Sequence, residues 1–525
     1  MKLLGKFVSA AAVFTIFAPS LNAAVKLNSL FCDHMVLQRD QANPVWGWAD
    51  AGEHVTVSLG QSKVETTAGA DGKWSVKLPP QTVGGPALEM TVAGSNSITI
   101  HDILIGEVWF CSGQSNMDFT VSKSAKRSYA GVRDEQNEVA DANHPLIRLY
   151  SAEWKMSDDP QPDTEGKWQV CSPETVGDFS AAAYFFGREL QQKLNVPVGL
   201  IVCAYGASTC QAWISHDTLA ASEEFAPMLD AYAKLKSAFD PVAAKAKYET
   251  ALAKWEKDDA AAKAKGEKSP KKPGELKGPT QDQHNPCVLF NGMVAPVAGY
   301  GIRGAIWYQG ESNGIDSGSR YARLQNTMVR NWRSIWNQGD FPFIYVQLPA
   351  YKAAATQPEP RAQIARFRQG QTEALSEPNT AMAVIVDIGD AKNIHPKNKQ
   401  EAGRRIGLVA EEKVYKLPVQ SSGPVMESAA VEGSTAVVKF THGQGLNAKD
   451  GKVTGFTLGD DTGKLVWADA KIDGDRVIVS SNEIQSPTSV SYGWADNPPV
   501  SLYNDQQLPA WPFWANLKPA STERK

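Results

Sequence analysis

The chain has 525 residues, 42% of them hydrophobic and 21% charged, which is typical of a globular protein of roughly two to four domains. Its formal net charge of −4 gives no reason to expect nucleic acid or an anionic membrane surface as a partner. Fifteen Trp and 14 Tyr supply many aromatic rings, which fill protein cores or stack on sugars.

The first 23 residues have the pattern of a signal peptide. Lys2 and Lys6 form a positive start, residues 7–18 are apolar, and residues 21–23 supply a small-residue cleavage site. No cysteine follows directly after Ala23, so we expect no lipoprotein anchor. No later run is long and apolar enough to span a bilayer. We therefore expect an exported protein, periplasmic or secreted, with no membrane attachment after signal removal.

Six cysteines occur in the chain, and their spacing matches no zinc-binding pattern. Cys111 and Cys203 lie in apolar, strand-like runs, which predicts that both are buried thiols. Export permits disulfides, but the sequence indicates no particular pairing.

Residues 24–101 have the pattern of a small β-sandwich domain. Val55, Val57 and Leu59 alternate with polar residues, and Asp71-Gly72 is a hairpin turn. Short strands at this spacing are typical of sandwiches.

Residues 102–417 alternate predicted strands with predicted helices. The strands cover 102–110, 198–203, 304–308, 341–348 and 381–386, and the helices cover 179–194, 321–336 and 364–375. This order predicts a parallel, doubly wound α/β domain. In such sheets the chemistry collects at the carboxyl ends of the strands.

Residues 222–280 form an Ala- and Lys-rich helical insertion in that domain. Tyr248, Leu252 and Trp255 make a narrow helical stripe, and residues 266–274 form a charged Pro/Gly loop. The charged run is most simply a solvated helical face, and the functional alternative is a lid or partner surface near the site.

Residues 418–525 return to β patterns and predict a second β-rich domain. Short predicted strands cover 437–440, 456–458, 465–467, 477–479 and 490–492. The aromatic stretch 494–513 is expected to pack back on the α/β domain.

The stretch 107–118 carries the first chemical signal. A buried strand stops at Gly113, whose backbone freedom allows a sharp turn, and Ser115 follows between polar Gln114 and Asn116. A serine at such a turn presents both its hydroxyl and its backbone N–H to one point, as a nucleophile beside an oxyanion donor requires. The alternative is a Ser/Asn turn that only caps a helix.

Two further strand ends offer oxyanion donors. Gly206 follows the 198–203 strand and has an unobstructed N–H, although it also suits a plain turn. After the 304–308 strand, Gln309 or Asn313 can donate a side-chain N–H to the same oxygen. The alternative is that Gln309, Glu311 and Asn313 form a hydrogen-bonded loop that supports the sheet.

A fourth strand end offers a base. His395 follows the 381–386 strand together with Asp387 and Asp390. Such a His can take the serine proton while an acid holds its tautomer. The alternatives are a structural histidine and two aspartates that cap the next helix.

Residues 106–117, 303–313 and 394–399 resemble the sialate O-acetylesterase family of SGNH hydrolases, and the resemblance runs from about residue 25 to 513. It implies a flavodoxin-like three-layer α/β/α domain flanked by β-rich, sandwich-like domains. It also implies a serine esterase that removes acetyl groups from sugars, with no metal or organic cofactor. Ser115 is the implied nucleophile and His395 the base. The N–H groups of Ser115 and Gly206 and the 309–313 loop form the implied oxyanion region.

One position departs from the family pattern. SGNH enzymes usually place the triad Asp three residues before the His, where this chain has Lys392. Three possibilities stay open for the partner of His395. They are, in order of preference, Asp390, Asp387, and a Ser–His dyad aided by a backbone carbonyl.

The leading hypothesis is a carbohydrate O-acetylesterase acting on acetylated sialic acids or acetylated plant polysaccharides. A second hypothesis is a non-catalytic carbohydrate-binding protein that uses the β-rich domains. A third is a glycosidase using Glu311 with an Asp, which requires two carboxylates across a cleft. The sequence indicates no oligomeric state.

Overall fold

The computed structural model describes residues 24–123, 127–314 and 318–519, so the predicted signal peptide lies outside the described residues. The protein is a mixed α/β structure with several sheets. None of the described helices combines the length and apolar character needed to cross a bilayer.

The N-terminal part is made of eight strands. They are β1 Lys26–Leu27, β2 Val36–Gln38, β3 Asn43–Trp48, β4 His54–Leu59, β5 Ser62–Thr67, β6 Lys73–Leu78, β7 Leu88–Ala93 and β8 Ser97–Gly113. β1, β3 and β6 form one sheet, and β5, β4, β7 and the first part of β8 pair in a second. The predicted alternation in β4 is confirmed, because Val55, Val57 and Leu59 are buried.

β8 is longer than the predicted strand and crosses the predicted domain boundary between residues 101 and 102. Its first part pairs antiparallel with β7, at Val92 and Ile98 for example. Its second part is the centre of a sheet with β9 His144–Ser151, β10 Trp168–Cys171, β11 Val198–Ala204, β12 Gly304–Tyr308, β13 Phe343–Gln347 and β14 Thr380–Val384. One strand therefore belongs to both sheets, and this continuity fixes the N-terminal strands to the sheet that carries the site.

The order in this sheet is β10-β9-β11-β8-β12-β13-β14. All neighbours are parallel except β10, which pairs antiparallel with β9 at the edge. The five predicted strands are confirmed with small shifts, and β9 and β10 were not predicted. Cys111 on β8 and Cys203 on β11 are buried free thiols, as predicted, and the other four cysteines are also free.

The helices are α1 Ser115–Asp118, α2 Glu135–Ala140, α3 Ala181–Leu194, α4 His216–Ala220, α5 Ala226–Ala238, α6 Pro241–Ala264, α7 Gly318–Trp336, α8 Gln363–Glu373 and α9 Lys399–Lys413. The Trp109 ring of β8 packs on Phe186 of α3, and the adjacent Phe110 ring packs on Trp332 of α7. Because successive strand residues point to opposite faces, helices contact both faces of β8.

The predicted helical insertion consists mainly of α5 and α6. Asp240 caps α6 by accepting the N–H groups of Val242 and Ala243, and Pro241 occupies its first turn. Asp259 is the one buried residue of α6, so the prediction of a solvated helix is confirmed. α5 is anchored by Tyr232, whose hydroxyl donates to Asp158 over 2.7 Å.

The C-terminal part is β-rich, as predicted. Its strands are β15 Val425–Glu432, β16 Thr435–Thr441, β17 Asn447–Ala448, β18 Phe456–Gly459, β19 Leu465–Trp467, β20 Asp469–Asp473, β21 Arg476–Ser480, β22 Ser489–Tyr492, β23 Leu502–Tyr503, β24 Phe513–Asn516 and β25 Lys518–Pro519. They form a five-stranded, a four-stranded and a two-stranded sheet around a separate hydrophobic core that includes Phe456, Tyr492 and Phe513.

Arg368 of α8 docks this C-terminal part. Its buried guanidinium donates to Ala495 O and Asp496 O, and also to Leu348 O and Pro349 O after β13. Burial lowers the pKa of Arg368 to about 10, and the four carbonyls compensate for the lost water. The expected packing of the stretch 494–513 against the α/β part is therefore confirmed at Ala495 and Asp496.

Candidate active site

Three strand ends meet at one edge of the central sheet. Gly113 at the end of β8 lies opposite Ala204 at the end of β11 and Tyr308 at the end of β12. The residues that follow these strands, which include Ser115, Gly206 and Gln309, therefore leave the sheet at the same edge. These are three of the four strand ends that the sequence predicts to converge.

The turn before Ser115 requires glycine. Gly113 has a φ of 146°, and a Cβ at this position would lie 2.2 Å from Tyr308 O. The next residue, Gln114, donates its N–H to the same carbonyl over 3.1 Å. The chain then enters α1, with Ser115 as its first residue and only 5% exposed.

Ser115 and His395 are in hydrogen-bond contact. His395 Nε2 lies 2.8 Å from Ser115 Oγ, so a neutral imidazole can accept the serine proton. The Asn393 side chain accepts the His395 N–H over 2.9 Å and shapes the turn before it. The Tyr129 ring packs on the imidazole with ring centroids 4.9 Å apart.

The surroundings of His395 keep its imidazole neutral. Burial, and after it the positive charge of Lys399, lower the pKa of His395 from the ordinary 6.5 to about 4. The Nε2 lone pair is therefore available for a proton from about pH 5 upward.

The structure does not bring either predicted acid to His395. Asp390 is exposed, and its Oδ1 accepts the N–H of Lys392 over 2.8 Å. Asp387 is paired with Arg405 through contacts of 2.6 and 2.9 Å and also accepts the Tyr503 hydroxyl. Within the described residues, no hydrogen bond or ion pair joins His395 to a carboxylate. Asp390, the preferred acid for orienting His395, does not bind the imidazole in this structure, because its carboxylate accepts the Lys392 N–H within its own turn.

Two residues hold the backbone on both sides of His395, and we call Asn116 and Lys399 the histidine clamp. Asn116 Nδ2 donates to Ile394 O over 3.1 Å, and Lys399 Nζ donates to Pro396 O over 2.7 Å. Lys399 Nζ also donates to Asn116 Oδ1 over 2.7 Å. Since Asn116 is the neighbour of Ser115, the clamp ties the predicted nucleophile to the backbone of the predicted base.

The clamp is buried with a carboxyl group beside it. Glu311 Oε1 accepts from Asn116 Nδ2, and burial raises the pKa of Glu311 while Asn116 and Lys399 oppose that rise. Lys399 is fully buried, and burial lowers its pKa to about 7, although the charge of Glu311 acts in the opposite direction. Sequence reasoning missed Lys399 as a site residue, although it ends the quoted motif 394–399.

The 309–313 loop is a hydrogen-bonded support. The buried Gln309 amide donates to Gln114 Oε1, Ser208 O and Asn313 Oδ1 over 2.9 to 3.1 Å. Asn313 Nδ2 donates to Gln211 over 3.1 Å. These contacts favour the supporting role over oxyanion donation for both amides, because their N–H groups bind within the loop and its neighbours.

The other predicted oxyanion donors are the backbone N–H groups of Ser115 and Gly206. In the described parts of the chain, the N–H groups of Ser115 and Gly206 donate to no protein acceptor. A Cβ on Gly206 would lie 2.1 Å from the Tyr129 hydroxyl oxygen, so only glycine fits there. Both N–H groups are available to a developing oxyanion.

A buried ion pair that the sequence did not indicate lies behind Tyr129. Arg127 donates to both oxygens of Asp118 over 2.9 and 2.8 Å, and the Tyr129 hydroxyl donates to Asp118 over 2.8 Å. Burial raises the pKa of Asp118, and Arg127 opposes that rise. This network holds the Tyr129 ring against His395.

A small, mainly apolar cavity of about 200 Å³ borders the site beside His395. Its lining includes Leu348, Tyr351, Phe367, Ile394 and Glu311. No group of three or more potential His, Cys, Asp or Glu metal ligands is found within the described residues.

The sequence matches a family described as carbohydrate esterase, sialic acid-specific acetylesterase, over residues 105–244 and 285–411. That match spans more than half of the chain. The chain belongs to this family. The esterase is 27% identical to rat sialate O-acetylesterase, with 92% of this chain and 93% of the rat protein covered. It is 26% identical to human sialate O-acetylesterase, with 94% and 93% covered.

The esterase also resembles a solved bacterial structure. A carbohydrate acetylesterase from Xanthomonas citri superposes with a TM-score of 0.77 at 30% identity, and the match covers 94% of this chain and 99% of that one. The chain is thus a carbohydrate O-acetylesterase.

Proposed function

We propose that the esterase removes O-acetyl groups from carbohydrates through a Ser115–His395 dyad. The observation that carries this proposal is the 2.8 Å contact between Ser115 Oγ and His395 Nε2. The unused N–H groups of Ser115 and Gly206 on the same sheet edge support it.

The first half of the proposed reaction forms an acetyl-enzyme. Ser115 Oγ attacks the acetyl carbonyl carbon while its proton moves to His395 Nε2. The carbonyl oxygen becomes an oxyanion that accepts the N–H groups of Ser115 and Gly206. The bond from the acetyl carbon to the sugar oxygen then breaks, and His395 returns the proton to that oxygen, which leaves as a hydroxyl.

The second half releases acetate. Water gives a proton to His395 Nε2 and attacks the acetyl carbon, and the same two N–H groups stabilise the second oxyanion. The Ser115 ester bond breaks, and Ser115 Oγ recovers its proton from His395. No cofactor enters this scheme.

The histidine clamp takes over the positioning that a carboxylate provides in a triad. Asn116 and Lys399 fix the carbonyls of Ile394 and Pro396, so the backbone that carries the imidazole cannot turn away from Ser115. The low pKa of His395 matches this assignment, because among the residues that the structure describes no carboxylate stabilises its charged form. We therefore favour the dyad over Asp390 or Asp387 as a third member.

The substrate proposed is an O-acetylated carbohydrate. The mammalian relatives are named for sialate and the Xanthomonas citri protein for carbohydrate acetyl groups, so both sialosides and acetylated plant-type glycans are candidates. Helices contact both faces of β8, which supports a flavodoxin-like three-layer SGNH domain at residues 102–417. The separate sheets before and after it support flanking β-rich domains at residues 24–101 and 418–525. The pattern of residues 1–23 supports export to the periplasm or medium.

Acetate release from a panel of acetylated sialosides and plant oligosaccharides tests the function. Ser115→Ala and His395→Ala should each lower kcat by at least about 10³-fold on every substrate the wild type cleaves, at unchanged melting temperature. A pure, folded Ser115→Ala protein that retains near-normal turnover would overturn the assignment of the nucleophile.

A further inference from the structure

Trp154 is an exposed aromatic ring on the loop after β9. It is 42% exposed, and the other strongly exposed large hydrophobic side chains among the described residues are aliphatic: Leu146, Leu235, Val242 and Leu276. Leaving part of an indole in water forgoes the favourable burial of a large apolar surface. Single exposed hydrophobic side chains are common, so the position of this ring relative to the reaction centre decides whether it binds a ligand.

The ring of Trp154 is held rigidly. Its Nε1 donates to Ala204 O over 3.1 Å, and the Arg127 guanidinium lies over the ring at 4.8 Å from its centroid. Arg127 is fixed in turn by its two bonds to buried Asp118. A ring held in this way loses little further freedom when a ligand stacks on it.

Trp154 borders both sides of the reaction centre. On one side, Ala204 ends β11, and Tyr205, whose ring lies 5.2 Å from that of Trp154, precedes Gly206. On the other side, Arg127 and Tyr129 both donate hydrogen bonds to Asp118, and the ring of Tyr129 packs on His395. The exposed ring is thus connected to the proposed oxyanion donor through Tyr205, and to the proposed base through the chain of contacts Arg127, Asp118 and Tyr129.

We propose that Trp154 and Tyr205, which we call the aromatic platform, bind a pyranose ring of the acetylated substrate; this inference rests on the proposed function. The C–H bonds of a pyranose carry partial positive charge and pack on the electron-rich face of an aromatic ring.

The platform selects uncharged sugars. The charge of Arg127 is neutralised by Asp118, and the exposed neighbours Glu153 and Lys155 have opposite charges. The platform therefore offers stacking without a net charge for a sugar carboxylate. Its ligands are neutral acetylated glycans such as xylo-oligosaccharides, in preference to acetylated sialosides.

The test compares Trp154→Ala, Trp154→Phe and wild type on acetylated xylo-oligosaccharide, acetylated sialoside and p-nitrophenyl acetate. For Trp154→Ala, the kcat/KM ratio of xylo-oligosaccharide to p-nitrophenyl acetate should fall about tenfold, mainly through KM. Trp154→Phe should restore most of the ratio. The matched control is Trp467→Ala in the C-terminal sheet, since Trp467 Nε1 also donates to a backbone carbonyl, Thr356 O. Its ratio should stay at the wild-type value.

A binding measurement covers the case in which Trp154→Ala does not fold. In the Ser115→Ala protein, which cannot turn over, adding Trp154→Leu, which keeps a bulky side chain but has no aromatic ring, should weaken binding of acetylated xylo-oligosaccharide by about tenfold. An unchanged ratio for Trp154→Ala, or unchanged binding, would overturn the platform while the loss of activity in Ser115→Ala still supports the proposed function. A wild type that prefers the sialoside would overturn the selection for neutral sugars. A wild type inactive on all three esters would instead refute the proposed function.

Discussion

Replacing Lys399 with Met tests how the histidine clamp acts on His395. Methionine has a similar length but no charge and no donor, so the variant loses the bonds from Nζ to Pro396 O and Asn116 Oδ1. It also loses the positive charge that is the second cause of the low pKa of His395. The two losses affect different parts of the pH–rate profile.

The lost charge should move the acidic limb of kcat/KM upward. Burial is the larger cause of the fall in the pKa of His395 from 6.5 to about 4, so removing Lys399 relieves the smaller part. We expect the midpoint of the acidic limb to move to higher pH by about one unit. The sign follows because His395 must be neutral to accept the serine proton, and a higher pKa keeps it protonated, and inactive, over more of the acidic range.

The lost donors should lower the plateau of the same profile. Because the pKa of Lys399 is about 7, its ammonium group is charged over the acidic part of this plateau, where a hydrogen bond from a charged donor contributes about 1.5–3 kcal/mol. If the orientation of His395 in the transition state loses the equivalent of one such bond, kcat falls about 10- to 100-fold with little change in KM.

The assay is p-nitrophenyl acetate hydrolysis from pH 4 to 9 by wild type, Lys399→Met and Lys399→Arg, with melting temperatures measured in parallel. Lys399→Arg keeps the charge, so its acidic limb should stay near that of wild type even if its plateau falls. A folded Lys399→Met protein with the wild-type plateau and the wild-type limb would remove the clamp from the mechanism. An acidic limb that moved to lower pH would contradict the electrostatic argument.

Four further predictions concern Asp390, Asp387, Gly206 and the loop 266–274. Asp390→Asn should change kcat less than about threefold because Asp390 is exposed and closes its own turn. Asp387→Asn should lower stability by about 1.5–3 kcal/mol because buried Arg405 loses one of its two carboxylate partners and keeps Glu401. Denaturation and steady-state kinetics measure both, and a large loss of kcat in Asp390→Asn would restore it as the third triad member. Gly206→Ala should lower kcat about 10²-fold on p-nitrophenyl acetate, since the added methyl displaces an oxyanion donor; a normal rate would exclude that donor. Trypsin should cut the exposed loop 266–274 while the rest of the chain survives, and resistance of the native protein would show that this loop is packed.

Local sequence pattern was sufficient to predict most of the strands and helices and the turn that carries Ser115, although it did not indicate β9 and β10. The strand Gly304–Tyr308 coincides with its prediction, and β4 shows the alternation read from residues 54–59, because strand and helix periods are properties of neighbouring residues. The Gly113 turn was likewise predicted, since only glycine tolerates a φ of 146° at that point. Parallel connectivity then required the strand ends to meet at one edge, which placed Ser115 near the other predicted segments.

The partners of individual side chains were decided only by the tertiary structure. Asp387 pairs with Arg405 from the following helix, so proximity in sequence to His395 gave it no role there. Asn116 and Lys399 meet across a separation of 283 residues. A buried carboxylate or ammonium group binds whichever opposite charge or dipole packing brings within about 3 Å, and no local periodicity encodes that distance. For the same reason the sequence indicated that this chain is an esterase with Ser115 and His395 in the site, while the clamp and the exposed ring of Trp154 depended on contacts between distant segments.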